Sequence, residues 1–357
     1  MNKFEHQIDR FKNITLKRLQ ALGEENKSYE IYEDDLYLID ECLLCNSRET
    51  TLVTDVKYKN VFSFFSTRIC NNCLFTYRSI SPSLVWFKKC WKKIASDNVQ
   101  VFNPEMENVR SNEYEKYLHL IQKYISSGKI LDIGSAYGSG AKFLQKNGYE
   151  VHCVEAEDNR ANYIENNLNL PIVGRALEDF SSNEKYDAIV FSHCLEHLDN
   201  PCVVLPKIKN LLKPNGVLYL EVPILWNIVN WVESFYLPHK TYFTEENLKR
   251  LLIQNGFSVL DVVYQKRSPT DPVNIGLLLG LSNNYESFVF ENRYIGDLNN
   301  VMDLFKINFP LSEFLTHGKT IEYNVDSIGH FYHTVRMDQN HLSYDSYRDQ
   351  FVFIKND

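Results

Sequence analysis

Residues 129–140 read KILDIGSAYGSG. A short apolar strand runs into Asp132. Gly134, Gly138 and Gly140 follow in the spacing D-x-G-x3-G-x-G. Glycine lets the backbone take positive φ and pass close beneath a ligand. The helix expected behind the turn aims its first amides at that ligand. Such a turn serves more than one ligand class, so the residues downstream decide between them.

Working outward, YEVHCVEA is the next strand and ends at Glu155 and Ala156; Glu155 comes 23 residues after Asp132. A carboxylate there can accept both ribose hydroxyls of a nucleoside. The glycine spacing departs from the G-x-G-x2-G of nicotinamide enzymes. After a third strand, PIVG, the stretch ALEDF offers the Leu177 amide and the Glu178 carboxylate to an adenine. YDAIVFSH, VLYLEV and FSVLDVVYQ are further strands. CVVLPKIKNLL and TEENLKRLLIQNG are helices, the latter capped by Thr244 three residues before Asn247 and stopped by Gly256. Strands alternating with helices predict an α/β fold, a mostly parallel sheet covered on both faces. QFVFIKN, residues 350–356, is expected as its last, antiparallel strand. Residues 267–345 would then be a long insert over the site, or else a separate C-terminal domain.

Residues 129–264 resemble the class I S-adenosylmethionine (SAM) dependent methyltransferases. The landmarks ILDIGSAYGSG, VHCVEAEDNR, ALEDF, YDAIVFSHCLEHLDNP, LKPNGVLYLEVP and HKTYFTEENLKRLLIQNGF stand in that family's order. The resemblance implies a Rossmann-like sheet. It implies that Asp132, Gly134, Ser135 and Gly138 border the methionyl part of SAM, and that Glu155, with Ala156, holds the ribose. Leu177 and Glu178 would hold adenine, and Ser192 and His193 would close the site. Ala136 stands where many members have glycine, so the turn should be tighter at the methionine end.

Upstream, Cys42, Cys45, Cys70 and Cys73 form C-x2-C-x24-C-x2-C. Two such knuckles fit tetrahedral zinc, and an all-cysteine site leaves no open position, so the ion is expected to be structural. The domains expected are residues 1–100 (a helix plus the zinc module), 101–266 (the SAM-binding core) and 267–357 (a capping insert or C-terminal region). A cysteine quartet before a methyltransferase domain resembles the sugar C-methyltransferases acting on nucleotide-linked deoxysugars. Of that family's Y-x-E-H motif, Tyr236 and His239 match, while Pro238 replaces Glu. Carbon methylation needs a proton removed beside a carbonyl, whereas a hydroxyl acceptor needs one base. The leading expectation is therefore O-methylation of a sugar nucleotide or surface-glycan (capsule or lipopolysaccharide) precursor. The alternatives are C-methylation of a sugar, a zinc-bearing rRNA or tRNA methyltransferase, and a non-catalytic scaffold. His239 is the leading base, with Tyr236 and His193 beside it. In SHCLEH, His193 and His197 are expected on one face of a short helix. His330 and His333 are not expected to line the acceptor pocket.

A chain of 357 residues suits two or three domains. Hydrophobic residues at 44% and aromatics at 13% argue against disorder. A net charge of −8 argues against general nucleic-acid binding. The lysines of WFKKCWKK, residues 86–93, read as a solvated helix face. Residues 1–35 open with an amphipathic helical pattern, and with no apolar run behind MNKFEHQIDRFK no signal peptide is expected there. The apolar stretch 217–232 is broken by Glu221, Pro223, Asn227 and Asn230, so no membrane span is expected. Two C-x2-C pairs and scattered single cysteines suit a reducing cytoplasm. The sequence leaves the oligomeric state open.

Overall fold

The computed structural model describes residues 36–58, 63–83, 85, 104–224, 239–265 and 274–282, and the strands within 320–325, 331–337, 340–345 and 350–355. The helix expected over residues 1–35, the lysine-rich 86–93, Tyr236 and His330 lie outside them. The chain divides into two compact units. The first comprises Met1–Val99, Trp226–Tyr242 and Phe290–Asp357, the second Gln100–Leu225 and Phe243–Val289.

The chain opens in the first unit with β1 (Leu36–Leu38), β2 (Thr50–Tyr58), β3 (Ser63–Cys70) and β4 (Thr76–Pro82). It enters the second with α1 (Pro104–Gln122), β5 (Lys129–Ile133), α2 (Ser139–Lys146), β6 (Glu150–Val154) and α3 (Asp158–Tyr163). A π-helical turn extends α3 through Ile164–Leu168. Next come β7 (Ile172–Gly174), β8 (Tyr186–Ser192), α4 (Pro201–Leu211) and β9 (Leu212–Pro223). After β10 (Thr241–Tyr242), in the first unit, the second unit closes with α5 (Glu245–Gln254), β11 (Phe257–Gln265) and β12 (Asn274–Leu281). Thr244 and Asn247 form the expected reciprocal cap of α5, each side chain bonded to the other's backbone N–H.

The second unit's sheet runs β11-β12-β9-β8-β5-β6-β7. Strands β9, β8, β5, β6 and β7 are parallel; β12 is antiparallel to both its neighbours. This is a Rossmann-like sheet with one reversed strand. The reversed strand is not QFVFIKN, as expected, but NIGLLLGL. The run is buried on nearly its whole length, as a strand between two others in a helix-covered sheet must be. Its glycines disguise it. A Cβ on Gly276 would stand 2.4 Å from the Tyr219 hydroxyl, so that position requires glycine. QFVFIKN becomes β16 (Gln350–Lys355) of the first unit. There the sheet order is β1-β4-β3-β2-β13-β14-β15-β16, with β13 (Thr320–Val325), β14 (Phe331–Met337) and β15 (Asn340–Asp345); β10 pairs with β4. His333 falls on β14.

The core of the second unit lies between the sheet and its helices. Tyr117, Leu118 and Ile121 of α1 and Leu144 of α2 pack against Ile130, Val190, Val217 and Leu278. Each such side chain, fully buried, contributes about 1.5–3 kcal/mol. This packing fixes the carboxyl ends of β5, β6 and β8, where the glycine turn and its partners sit.

Candidate active site

The turn behind β5 is closed onto the end of β6. The Gly134 N–H donates to the Val154 carbonyl at 2.8 Å and the Gly138 N–H to the Ser135 carbonyl at 2.8 Å. The Ser135 hydroxyl donates back to the Asp132 carbonyl at 2.8 Å. Gly138 has φ 77°, and a Cβ there would stand 2.8 Å from Ile164, so conformation and space both demand glycine. Ala136 takes φ 51° without that freedom, a conformation costing about 1–2 kcal/mol. Its N–H donates to Glu155 Oε2 at 2.8 Å, which helps offset that cost.

Two carboxylates flank the turn from below. Asp132 is fully buried; its Oδ1 accepts from the Tyr114 hydroxyl at 2.7 Å. Its Oδ2 has no hydrogen-bond partner. Burial, with a smaller push from Glu155, raises the Asp132 carboxyl to about 7. Burial also lifts the Tyr114 phenol well above its usual value, so it remains a donor. Glu155 Oε1 accepts from the Glu157 N–H at 3.0 Å, and burial raises its carboxyl as well. Ala156 beside it is exposed. Two buried carboxyl groups at the turn suit a cationic ligand.

Leu177 and Glu178 lie on a turn directly after β7, Leu177 buried; the Glu178 carbonyl accepts from Lys207 Nζ. Ser192, at the end of β8, has its hydroxyl 3.2 Å from that of Tyr117, whose ring stacks on Tyr219 at 4.2 Å. His193 follows with φ 52°. The expected helix carrying His193 and His197 is only a 3-10 turn, Leu195–His197, with His193 outside it. The turn begins two residues after His193, so the two histidines do not share a helical face. His193 instead lies between Glu196 and Glu221, both buried.

Sequence reasoning singled out Glu196 within SHCLEH but missed Tyr114 and Glu221 as site residues. Glu221 carried a signal, being the single charge in the apolar strand VLYLEV. Tyr114 carried none, since helical spacing does not tell a phenol that meets Asp132 from any other buried tyrosine.

In the first unit the four cysteines converge. Their sulfurs all lie within 4.8 Å of one another, with Cys42 to Cys73 and Cys45 to Cys70 both 3.5 Å. Four Zn–S bonds of about 2.3 Å in a tetrahedron put sulfurs about 3.8 Å apart, so the set fits a zinc ion. Asn72 adds an N–H to Cys70 Sγ at 3.4 Å. β4 begins three residues after Cys73 and pairs with β10, so Thr241 and Tyr242 are tied to the knuckle's strand. The Tyr242 hydroxyl donates to the His239 carbonyl at 3.1 Å. Arg78, fully buried on β4, donates through Nη2 to that same hydroxyl at 3.1 Å.

Comparison with known proteins gives a methyltransferase domain matching residues 107–262. A ubiquinone biosynthesis O-methyltransferase of Actinobacillus pleuropneumoniae serotype 5b is 31% identical over 104 residues, 26% of this chain and 44% of that protein. One of Rickettsia canadensis is 29% identical over 155 residues, 39% of this chain and 66% of that protein. The match thus spans less than half of the first relative. A Burkholderia thailandensis 1,6-didemethyltoxoflavin-N1-methyltransferase, solved with S-adenosylhomocysteine, is 15% identical, covering 58% of this chain and 96% of its own with a TM-score of 0.46. Strand order, the glycine turn and the family match agree, and residues 107–262 are a SAM-dependent methyltransferase domain.

Proposed function

We propose that this chain transfers the methyl group of SAM to a hydroxyl of a small-molecule acceptor. The observation that carries the reading is the cradle at the carboxyl ends of β5 and β6. There a glycine turn stands over two buried carboxylates, one of them with an oxygen lacking any partner. When bound, SAM supplies an electrophilic methyl on a positively charged sulfur. Asp132, Gly134, Ser135 and Gly138 hold its methionyl end, Glu155 and Ala156 the ribose, and Leu177 and Glu178 the adenine. Ser192 and His193 close the site. The protein aligns donor and acceptor and removes one proton, so the rate advantage comes chiefly from positioning. Cys42, Cys45, Cys70 and Cys73 hold one structural zinc.

The acceptor class we propose is a sugar nucleotide or surface-glycan precursor. Its support is the cysteine module upstream of the methyltransferase domain, together with Tyr236 and His239. A second reading has the support of the named relatives, which are O-methyltransferases of ubiquinone biosynthesis. Both readings transfer the methyl to oxygen. Mass spectrometry of cells with and without the protein separates them. Our reading expects sugar nucleotides or glycans heavier by one methylene only when the protein is present; the same increment confined to a quinone precursor contradicts the sugar acceptor.

A further inference from the structure

Tyr114 stands where α1, α2 and β5 meet. Its hydroxyl donates to Asp132 Oδ1 at 2.7 Å. Its ring lies over Gly140 of α2, where a Cβ would come within 2.4 Å of the ring carbons. Alanine would suit the helix better at that position, so room for the ring is what this glycine provides. On its other side the ring tilts against Tyr117 at 4.9 Å, and Tyr117 stacks on Tyr219 of β9. One turn earlier on α1, the Ser111 hydroxyl donates to the Ser139 carbonyl at the start of α2, at 3.4 Å. The phenol is thus fixed from both sides. The donors of the glycine turn are committed elsewhere. The N–H groups of Gly134 and Ser135 go to the Val154 carbonyl and that of Gly138 to the Ser135 carbonyl. The Ala136 N–H goes to Glu155, and the Ser135 hydroxyl to the Asp132 carbonyl. Tyr114 is therefore the group that satisfies the Asp132 carboxyl, and it satisfies one oxygen. Among the described residues the buried Oδ2 has no hydrogen-bond partner. A neutral phenol also leaves the charge of the carboxylate whole, where an arginine or lysine would cancel it.

We propose that Tyr114 is a positioning residue for the cofactor, an inference that rests on the methyl-transfer reading above. By occupying Oδ1 it reserves Oδ2, with its charge, for the ammonium of the methionyl group. Tyr114 acts through Asp132 and takes no part in the transfer itself. The ionisable groups set against Asp132 are Tyr114 of α1, Cys153 of β6 with Glu155 directly after it, and Cys194 after β8. Burial raises both thiols and the phenol, so all three stay neutral, and Glu155 is the other carboxyl. Burial also raises the Asp132 carboxyl to about 7, while the bond from Tyr114 lowers it. Removing that hydroxyl therefore raises the carboxyl further. Binding of the ammonium needs the ionised form, so it moves to higher pH.

The test is calorimetry on the full-length protein with two nucleosides. S-adenosylhomocysteine carries the ammonium; 5′-methylthioadenosine has the same adenosine and sulfur without it. Tyr114→Phe should weaken the first about tenfold or more at neutral pH and leave the second unchanged. The variant should also reach its full affinity for S-adenosylhomocysteine at a higher pH than the unsubstituted protein does. Gly140→Ala adds a Cβ where the ring stands and suits the helix. It should reproduce the selective loss, and it carries the test should Tyr114→Phe fail to fold. Equal losses for both nucleosides mean a merely structural tyrosine. That result, no loss for either, or an unmoved pH dependence overturns the role of Tyr114 while the cofactor site stands. Binding of neither nucleoside by the unsubstituted protein overturns the cofactor reading itself.

Discussion

Asp132 is buried between a phenol and the glycine turn, and its carboxyl is raised from 3.8 to about 7. A raised acid stabilises the fold in its protonated form, so its contribution is complete below the ordinary value and lost as pH rises through the shifted one. The ligand-free protein should therefore lose thermal stability between about pH 4 and pH 7 through this group. Asp132→Asn keeps the shape and removes the ionisation, so its melting temperature should decline less across that window. Equal declines in the two proteins contradict the assignment. At this scale the cradle was legible, because glycine spacing and strand-end carboxylates are local patterns. The partners were not. Tyr114 reaches Asp132 from 18 positions away, and Glu221 reaches His193 from 28. Only the packing of α1 and the adjacency of β8 and β9 bring them together.

Among elements, the alternation of strand and helix fixed the parallel part of the sheet, because each segment buries apolar surface with its own period. The reversed strand β12 was read wrongly, since Gly276 and Gly280 imitate a loop and their reason lies in other strands; Gly276 leaves room for Tyr219. The cysteine knuckles were legible from spacing alone. They flank the turns that lead into β2 and out of β3, and four sulfurs this close could hold one cation between them. Metal analysis should find about one zinc per chain. Its removal, or Cys70→Ser, should cost the first unit stability on the order of 10 kcal/mol. Far-ultraviolet circular dichroism would report loss of β structure, while binding of S-adenosylhomocysteine persists, because every proposed cofactor residue belongs to the other unit. Protein purified without chelator that holds no metal, or a Cys70→Ser chain of unchanged stability, contradicts the structural role.

Across the whole molecule, two units share one chain that crosses between them more than once. Trp226–Tyr242 and Phe290–Asp357 return to the unit that holds the cysteines. That division was not legible, because the sequence shows where strands fall but not which sheet a late strand joins. The net charge of −8 speaks against binding along a nucleic-acid backbone. Among the described residues no helix is long and apolar enough to cross a membrane. The account stands on the cradle formed by the glycine turn, Asp132 and Glu155. Isothermal calorimetry with S-adenosylhomocysteine tests it most directly. One site per chain is predicted, abolished by Asp132→Ala or Glu155→Ala in protein that remains folded. No heat with the unsubstituted chain, or undiminished affinity in both variants, would contradict it.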